Sequence, residues 1–542
     1  MDLSCNTKKL LGSGAYGSVY ETDQDGFACK MYEQDEDRGL DASLLTELSV
    51  SSCLKDNPYV IHMVDLKIED NQSIVYMSRY SSDLKHALVK LGDHFDFDLK
   101  KHILYQIIQG LYGAHQKAII HRDLALDNIL FNATGDVVIA DWGSSLFFNE
   151  NNKHPLQTEL VRLDYRSPEL FMGDVHYDSS VDMWSVGIMV GLLFSRDNHL
   201  IHDRSQFNKF IKVCHGHSHD HASGDAEADA DVDDDNDVGA GVGVGVGVVA
   251  DEFVNMYHDV EIDDHDTIDM FVNFDQDHTG LDLLHRLLNV KPHLRITATE
   301  ALNHPFFSIY CGCCHGGKQQ QEFLPFSSQE TLTFYQEIPI NPNWNTDQIS
   351  EKMRLILIDW MIEVCLMLRL SFEILFLGIE YLDYYVSQTT ILRSQLQLLG
   401  LSCVLMASKI ILEKYPPEIS NYVTLCSDAY TKAEINKFEQ KLILIVKDRL
   451  YVPTPLTHLN VLTIDEPQYS LAIYRLCLMI RHLSSRQYTS TTLSLMAQSD
   501  RMTQTFLETI PAHSQKNTEA LSKILKHLKI KQVMNVINND TH

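Results

Sequence analysis

Residues 121–128 read HRDLALDN, in which an aspartate and an asparagine follow a His-Arg pair at fixed spacing. Other short motifs surround this run in order along the first 307 residues: LGSGAYGSV at 11–19, FACK at 27–30, a glutamate at 47, DWG at 141–143, SPE at 167–169 and DMWSVG at 182–187. Because so many residue types recur in one order, the set as a whole decides the fold of the N-terminal half.

The glycines at the N-terminus predict a phosphate site. Gly12, Gly14 and Gly17 form a G-x-G-x-x-G-x-V pattern that ends at Val19, between two strand-like runs. Glycines let a backbone fold tightly over phosphate oxygens and present bare N–H donors. Taken alone, the pattern is equally compatible with an ordinary glycine-rich hairpin, so its weight comes from the motifs that follow it.

The ordered set resembles the eukaryotic protein kinases over roughly 1–307. Residues 41–47, DASLLTE, are similar to the PSTAIRE helix of the cyclin-dependent kinases, and residues 164–169, DYRSPE, resemble their WYRAPE. Residues 280–307 resemble the C-terminal run of the same family. The resemblance implies an α+β bilobal protein kinase fold.

The resemblance also implies a set of functional residues. Lys30 would hold the α- and β-phosphates of ATP and pair with Glu47, and Asp123 would accept the hydroxyl proton. Asn128 and Asp141 would hold Mg²⁺. The implied ATP-binding residues are Leu11, Gly12, Gly14, Tyr16, Gly17, Val19, Ala28, Lys30, Met77, Tyr80, Asp83 and Leu130. Arg295 would brace Glu169.

Two departures from the family fall beside the catalytic aspartate. Ala125 replaces the lysine that approaches the transferring phosphate, and Arg162 replaces a threonine of the activation segment that lies near that lysine. We therefore predict that Arg162 is a catalytic residue that supplies the missing cation. The alternative is that Arg162 is a solvated loop residue.

The activation segment departs from the family as well. Gln157 aligns with the activating phosphothreonine, and two of the three arginines that would bind the phosphate are replaced by Thr46 and Leu146, leaving Arg122. A phosphate needs several charge-assisted donors to order a loop, so the sequence predicts activation without phosphorylation. The alternative is phosphorylation of the adjacent Thr158.

Substrate preference follows from a retained arginine. Arg166 is kept, and in this kinase group it helps to shape a pocket for proline after the target residue, whereas Asp164 replaces a nearby tryptophan. We expect protein substrates with Ser/Thr-Pro sites.

The C-terminal half reads as all helix. Met353, Ile356, Leu357 and Trp360 have the spacing of one helix face, which by itself is more typical of a core. However, residues 353–360, MRLILIDW, resemble the MRAILVDW of the cyclin box, and several later runs match cyclins in the same order. The resemblance implies an all-α cyclin fold, with the box at 331–450 and a second, reduced repeat at 451–542.

The cyclin resemblance implies three kinds of residue. Arg354 and Asp383 would form a buried ion pair. Leu45, Lys409 and Glu439 would form the kinase–cyclin interface, with Lys409 and Glu439 holding backbone groups near the helix that carries Glu47. An exposed docking groove for Arg-x-Leu peptides would consist of Met353, Ile356, Leu357, Trp360, Glu363 and Gln397.

Composition limits the class of protein. The net charge of −30 comes mostly from residues 213–285, which contain no Lys or Arg and about twenty Asp or Glu. Within this stretch, about 215–265 is a low-complexity segment that we predict to be disordered; its alternating histidines carry only a weak metal hypothesis. Residues 308–330 form a polar linker with a CGCCH run that does not suit zinc. Scattered cysteines, no signal sequence and no apolar run of membrane-spanning length predict an intracellular, cytoplasmic or nuclear protein that binds neither nucleic acid nor membrane.

One chain thus resembles a cyclin-dependent kinase joined to its own cyclin, an arrangement associated with large DNA viruses. We predict an ATP- and Mg²⁺-dependent serine/threonine kinase that is activated within the chain or in a swapped dimer. The alternative, which Ala125 keeps open, is a pseudokinase–cyclin scaffold that binds inhibitors or activates a host kinase.

Overall fold

The structure is a computed structural model, and it describes residues 9–14, 17–69, 71–92, 95–132, 134–148, 156–157, 161–216, 267–274, 277–308, 342–412 and 416–460. A strand-rich small lobe is followed by a helical large lobe, and a separate all-helical region begins after residue 342. This order confirms the predicted fold class, an α+β bilobal region followed by an all-α region.

The small lobe is built on one antiparallel sheet. Its strands are β1 (Leu10–Gly14), β2 (Gly17–Glu21), β3 (Phe27–Glu33), β4 (Met63–Glu69) and β5 (Gln72–Ser78). They lie in the order β1-β2-β3-β5-β4. Side chains alternate across the sheet, so Ala28, Lys30 and Tyr32 of β3 share the face that meets the main core. The register therefore directs Lys30 inward rather than to solvent.

Helix α1 (Ala42–Cys53) packs between the small lobe and the all-helical region. Asp41 caps it, accepting hydrogen bonds from the backbone N–H groups of Ser43 at 2.7 Å and Leu44 at 3.3 Å. Every residue from Ser43 to Val50 is buried. A helix that is covered on nearly all sides lies between two partners rather than on a surface.

The large lobe is mainly helical. Its helices are α2 (Leu84–Leu91), α3 (Phe97–His115), α4 (Pro168–Phe171), α5 (Ser180–Leu193), α6 (His199–His202), α7 (Arg204–Gly216), α8 (His278–Leu287) and α9 (Ala298–Leu302). Helix α5 is buried along almost its whole length, which makes it the centre of this lobe.

Short strand pairs connect the two lobes. They are β6 (Ser82–Asp83), β7 (Ile119–Ile120), β8 (Ile129–Phe131), β9 (Val137–Ile139) and β10 (Leu146–Phe147). Strand β8 pairs with β6 and β9, and β7 pairs with β10. Residues 121–128 leave β7 and enter β8, so both ends of this catalytic loop are anchored.

The all-helical region consists of α10 (Glu351–Met367), α11 (Phe372–Gln388), α12 (Leu396–Ile411), α13 (Ile419–Leu425), α14 (Lys432–Val446) and α15 (Pro455–Asn460). Helix α12 packs against α10, α11 and α14. At Gly400 a Cβ would lie 2.8 Å from Leu357 Cδ1, so glycine permits the close approach of α12 and α10.

Helix α12 corrects one sequence-based statement. The helical segment Arg393–Ile411 is long and apolar enough to cross a membrane, although we had found no apolar run of that length. It is 72% buried within the fold, as expected for a core helix.

Several predictions fall outside the described residues. They concern Tyr16, Thr158, most of the acidic insert, the linker with its CGCCH run, and the second cyclin repeat beyond residue 460. The groups of His, Cys, Asp and Glu within the described ranges include no cluster able to hold a metal ion.

Candidate active site

A cleft of about 720 Å³ lies between the small lobe and the large lobe. Ten of the predicted ATP-binding residues line it: Leu11, Gly12, Gly17, Val19, Ala28, Lys30, Met77, Tyr80, Asp83 and Leu130. Gly14 is at the end of β1 and is not among the lining residues. These ten residues come from six strands, β1, β2, β3, β5, β6 and β8, and from the segment between β5 and β6.

Gly17 shows why the roof of the cleft requires glycine. Its φ is +152°, and a Cβ at this position would lie 2.5 Å from the carbonyl oxygen of Met31 on the next strand. Any side chain would therefore push β2 away from β3. Gly17 is therefore needed for the close packing of β2 against β3, whatever its part in phosphate binding.

Lys30 lies on the floor of the cleft between two carboxylates. Its ammonium donates hydrogen bonds to Glu47 on α1 and, at 2.9 Å, to Asp141 Oδ1. Burial alone would lower the pKa of Lys30, but the charges of Glu47 and Asp141 outweigh it and raise the pKa above its ordinary value. Lys30 is therefore a cation in this site, and α1 is held close to β3.

Asp182 on α5 holds the first residues of the catalytic loop in place. Its carboxylate accepts hydrogen bonds from the backbone N–H groups of His121 at 2.8 Å and Arg122 at 2.9 Å, and from the His115 ring at 2.9 Å. Although burial alone would raise it, the hydrogen bond from His115 lowers the pKa of Asp182. This ionised carboxylate stabilises the left-handed conformation of Arg122, whose φ is 66°.

Asn128 lines the cleft, and Asp123 lies beside it on the same loop. Asn128 Nδ2 donates to the backbone oxygen of Asp123 at 2.7 Å and to Asp123 Oδ2 at 3.0 Å. Burial raises the pKa of Asp123, and the charges of Arg162 and His121 oppose that rise. The protonation of the Asp123 carboxylate therefore depends on the nearby charge of Arg162.

Arg162 lies directly against this carboxylate. Its Nε is 2.9 Å from Asp123 Oδ1, and one terminal nitrogen is 3.2 Å from Asp123 Oδ2. The other terminal nitrogen contacts both oxygens of Asp127, at 2.6 and 2.5 Å. Arg162 is thus bound to two carboxylates of the catalytic loop, and its role as the cation that replaces the missing lysine stays a prediction.

Arg162 and Asp127 also line the cleft beside Asn128 and Asp141. Asn128 and Asp141 offer an amide oxygen and a carboxylate, which are hard oxygen ligands of the kind that Mg²⁺ prefers. The donor set of this cleft therefore fits a nucleotide–magnesium complex.

The activation segment is packed by apolar side chains. Leu146, Leu156, Val161 and Tyr177 are buried in one hydrophobic cluster, together with Ile120, Leu170 and Val181. Leu146 occupies the place where the sequence comparison expected a phosphate-binding arginine. An apolar contact thus stands where related kinases use charge.

Hydrogen bonds complete this packing. The guanidinium of Arg122 donates to Ser144 O at 2.7 Å and to the Tyr177 hydroxyl at 3.2 Å, and that hydroxyl donates to Gln157 O at 2.6 Å. Arg122 therefore reaches Gln157 through a tyrosine instead of a phosphate.

Arg166 orients a carbonyl at the end of the segment. Its Nε and one terminal nitrogen donate to Val161 O at 3.0 and 2.8 Å. Nearby, Asp164 forms two hydrogen bonds of 2.6 Å with Arg204 of α7. Arg295 contacts both oxygens of Glu169, at 2.7 and 2.9 Å, in a fully buried pair.

Residues 5–307, more than half of the chain, match the protein kinase domain family. The chain belongs to the protein kinase family. Residues 326–450 match the cyclin N-terminal domain. A similar protein is cell division control protein 2 homolog 3 of Trypanosoma brucei brucei, which is 32% identical over 213 residues, covering 38% of this chain and 68% of that protein. One chain thus joins a kinase domain of the cyclin-dependent type to a cyclin domain, as the sequence motifs predicted.

The cyclin domain contacts the kinase domain just before α1. Lys409 and Glu439 form a buried ion pair at 2.5 Å, and the second oxygen of Glu439 accepts a hydrogen bond from Leu40 N at 2.9 Å. The adjacent Gly39 has a φ of +76°, and a Cβ there would lie 2.2 Å from that Glu439 oxygen. Leu45, on α1 itself, is completely buried.

The acidic turn at 34–37 widens this interface. Asp37 O accepts from Ile419 N at 2.9 Å, and the Asp37 carboxylate pairs with Lys432. Asn436 donates to Glu36 O at 3.0 Å. The Asp37–Lys432 ion pair and these hydrogen bonds to the backbone together fix the position of the cyclin domain against the kinase domain.

A second contact joins the cyclin domain to the start of the activation segment. The rings of Phe147 and Tyr451 stack with centroids 3.6 Å apart and an interplanar angle of 15°. Ser52 and Cys53, at the end of α1, donate to the backbone oxygens of Asp448 and Tyr451. The cyclin domain therefore touches both α1 and the activation segment.

The predicted docking groove is only partly exposed. Ile356 is 55% exposed, and Glu363 is also exposed. Met353, Trp360 and Gln397 are half-buried, whereas Leu357 is buried against Gly400. Leu357 thus belongs to the core beneath the surface that Ile356 and Glu363 present.

Sequence reasoning missed two residues of the site. Asp127 carries no motif signal, because its importance depends on the position of Arg162. Tyr177 was missed for the same reason, since its two partners lie 55 and 20 residues away. Only the fold brings these groups together.

Proposed function

We propose that this chain is an active serine/threonine protein kinase that its own cyclin domain holds in the catalytic arrangement. The observation that carries the proposal is the position of Lys30, which bonds to both Glu47 and Asp141 while the helix that carries Glu47 is packed against the cyclin domain. In kinases the Lys–Glu pair and the magnesium-binding Asp must be in place together.

The residues of the cleft can share the work of phosphoryl transfer. Lys30 binds the α- and β-phosphates of ATP, and Asp123 accepts the proton of the substrate hydroxyl. Asn128 and Asp141 would hold Mg²⁺, which neutralises charge on the phosphates. Burial in the cleft excludes water and strengthens each of these interactions.

Coupling to the cyclin domain follows from α1. Glu439, paired with Lys409, accepts a hydrogen bond from the backbone just before the helix, and Ser52 and Cys53 anchor its end. Both ends of α1 are thus bound to the cyclin domain, so docking fixes the position of Glu47.

Activation without phosphorylation is supported by the packing of the activation segment. Leu146 contributes apolar contacts in place of a phosphate-binding arginine, and Arg122 bonds to Tyr177. Because Tyr177 in turn donates a hydrogen bond to Gln157 O, residue 157 is held in place without added charge.

Two further features favour particular protein substrates. Arg166 donates two hydrogen bonds to the Val161 carbonyl oxygen, so that oxygen is not available to accept a hydrogen bond from a substrate N–H. Proline has no N–H to donate, so this arrangement favours proline after the target Ser or Thr. On the cyclin domain, the exposed Ile356 and Glu363 offer an apolar and an acidic contact that suit an Arg-x-Leu peptide.

The direct test is phosphate transfer from ATP to a Ser-Pro protein substrate by the purified full chain. We expect transfer by the wild type, loss of at least about a thousandfold in Asp123→Asn, and unchanged activity after phosphatase treatment. Mass spectrometry of the active protein should find no phosphate on Thr158.

The rival function is a pseudokinase–cyclin scaffold. Equal residual transfer in the wild type and Asp123→Asn, together with binding of Arg-x-Leu peptides, would favour that scaffold. Activity that disappears with phosphatase treatment would instead support the kinase function and contradict activation without phosphorylation.

A further inference from the structure

The catalytic loop contains no cation between Asp123 and Asn128. Ala125, at the place of the family's lysine, is fully buried, and Leu126 beside it is buried as well. A phosphoryl group in transfer spreads negative charge over its oxygens, and a cation close to the reacting atoms stabilises that charge. This loop must therefore obtain its positive charge from another segment.

Arg162 brings that charge from the activation segment. Its guanidinium contacts both oxygens of Asp123, and the side chain is 39% exposed, so it borders the open cleft rather than the core. One terminal nitrogen also lies 3.4 Å from Asn128 Oδ1. The cation is thus beside the base and beside a predicted magnesium ligand.

Asp127 determines the direction of this guanidinium. Nε and one terminal nitrogen face Asp123, while the other terminal nitrogen faces both oxygens of Asp127. A planar guanidinium can bridge two carboxylates in a fixed orientation, whereas a lysine ammonium is a single point charge. Two aspartates on one loop therefore require arginine at 162.

We infer that Arg162 is the catalytic cation of this kinase and that Asp127 is the positioning residue that holds it against the catalytic base. The inference rests on the proposed kinase function. In the step itself, the substrate hydroxyl oxygen bonds to the γ-phosphorus, the bond from that phosphorus to the β,γ-bridging oxygen breaks, and ADP leaves. The hydroxyl proton passes to Asp123, while Arg162 stabilises the charge on the transferring oxygens.

The first test compares the turnover of single variants. Arg162→Ala should lower kcat by about tenfold or more with less than about a twofold change in KM for ATP, since Arg162 acts during transfer. Arg162→Lys should give an intermediate value. Arg286→Ala, which removes an exposed arginine that pairs with Asp282 on the surface of the large lobe, is the matched control and should retain wild-type turnover.

The second test restores the family arrangement. Adding Ala125→Lys to Arg162→Ala should recover most of the lost kcat, because a lysine then supplies the charge from within the loop. A thermal midpoint equal to that of the wild type would exclude misfolding as the cause of the loss.

Asp127 is tested in both backgrounds. Asp127→Asn should lower kcat by about fivefold in the wild type, where it orients Arg162, and should have no effect in Ala125→Lys/Arg162→Ala, where that arginine is gone. An equal loss in both backgrounds would assign Asp127 a structural role and overturn this part of the inference.

The outcomes separate this inference from the proposed function. A wild type that transfers no phosphate overturns both. An active wild type with an Arg162→Ala variant of nearly equal or higher kcat overturns only the role of Arg162, and a higher kcat would identify the residue as a block on the base.

Discussion

Two buried ion pairs organise the cyclin domain, and they differ in what their oxygens contact. Arg354 meets Asp383 through two bonds of 2.8 and 2.6 Å, and Trp344 donates to the same carboxylate at 2.9 Å. Lys409 uses one oxygen of Glu439, so the other remains available for a backbone N–H of the kinase domain. The first pair is closed within its domain, whereas the second is part of the interface.

At this residue scale, Arg354→Ala should destabilise the cyclin domain by about 3–5 kcal/mol, because it leaves the Asp383 charge buried without its cation. Denaturant unfolding of the full chain measures the loss. Arg286→Ala removes an exposed i,i+4 ion pair and should cost less than about 1 kcal/mol. Similar losses in the two variants would refute the stabilising role of the buried pair.

At the scale of elements, α1 is the link between cyclin docking and catalysis. The helix carries Glu47 on the side of Lys30, and its flanking residues contact the cyclin domain at both ends. The activation segment is linked similarly, because Phe147 stacks on Tyr451 while the neighbouring Leu146 lies in the apolar cluster. The cyclin domain thus contacts two elements that border the active site.

Gly39→Ala tests this link against a matched control. Gly39 and Gly26 both have positive φ, of +76° and +88°, so alanine costs about 1–2 kcal/mol of backbone strain at either position. Only at Gly39 does the new Cβ meet the cyclin domain, whereas at Gly26 it meets nothing within 4 Å. Kinase turnover should fall about tenfold in Gly39→Ala and remain near wild type in Gly26→Ala. Equal turnover in both variants would contradict the hypothesis that docking of the cyclin domain controls catalysis through α1.

At the scale of the whole molecule, the covalent link between the kinase domain and the cyclin domain takes the place of binding between two separate proteins. The contacts from the acidic turn 34–37 and from α1 to the cyclin domain are formed within one chain. A short covalent link gives the partner an effective concentration of about a millimolar when the geometry permits contact. We therefore expect the kinase domain not to depend on a separate supply of cyclin.

Specific activity should accordingly stay constant when the purified chain is diluted about a hundredfold, because an intramolecular contact does not depend on concentration. Kinase assays at matched ATP and substrate concentrations measure this. Light scattering at the same concentrations is the control for association. Activity that falls together with a loss of dimer would indicate domain-swapped pairing instead.

Much of the site could be predicted because its chemistry lies in short contiguous motifs. Lys30, Asp123, Asn128 and Asp141 each belong to a motif whose residue types are required by phosphate and magnesium. The helical spacing of Met353, Ile356, Leu357 and Trp360 also predicted one helix correctly. It could not separate the buried Leu357 from the exposed Ile356, since burial depends on what packs against the helix.

The sequence by itself determined the two domain folds and the joining of a kinase with a cyclin, and it predicted residues for ATP and Mg²⁺, because local pattern and motif order carry that information. Only the tertiary structure decided that Arg162 lies between Asp123 and Asp127, that Tyr177 connects Arg122 to Gln157, and that Leu40 docks on Glu439. Contacts between residues up to about 400 positions apart depend on how whole elements pack, and no local pattern in the chain encodes that distance.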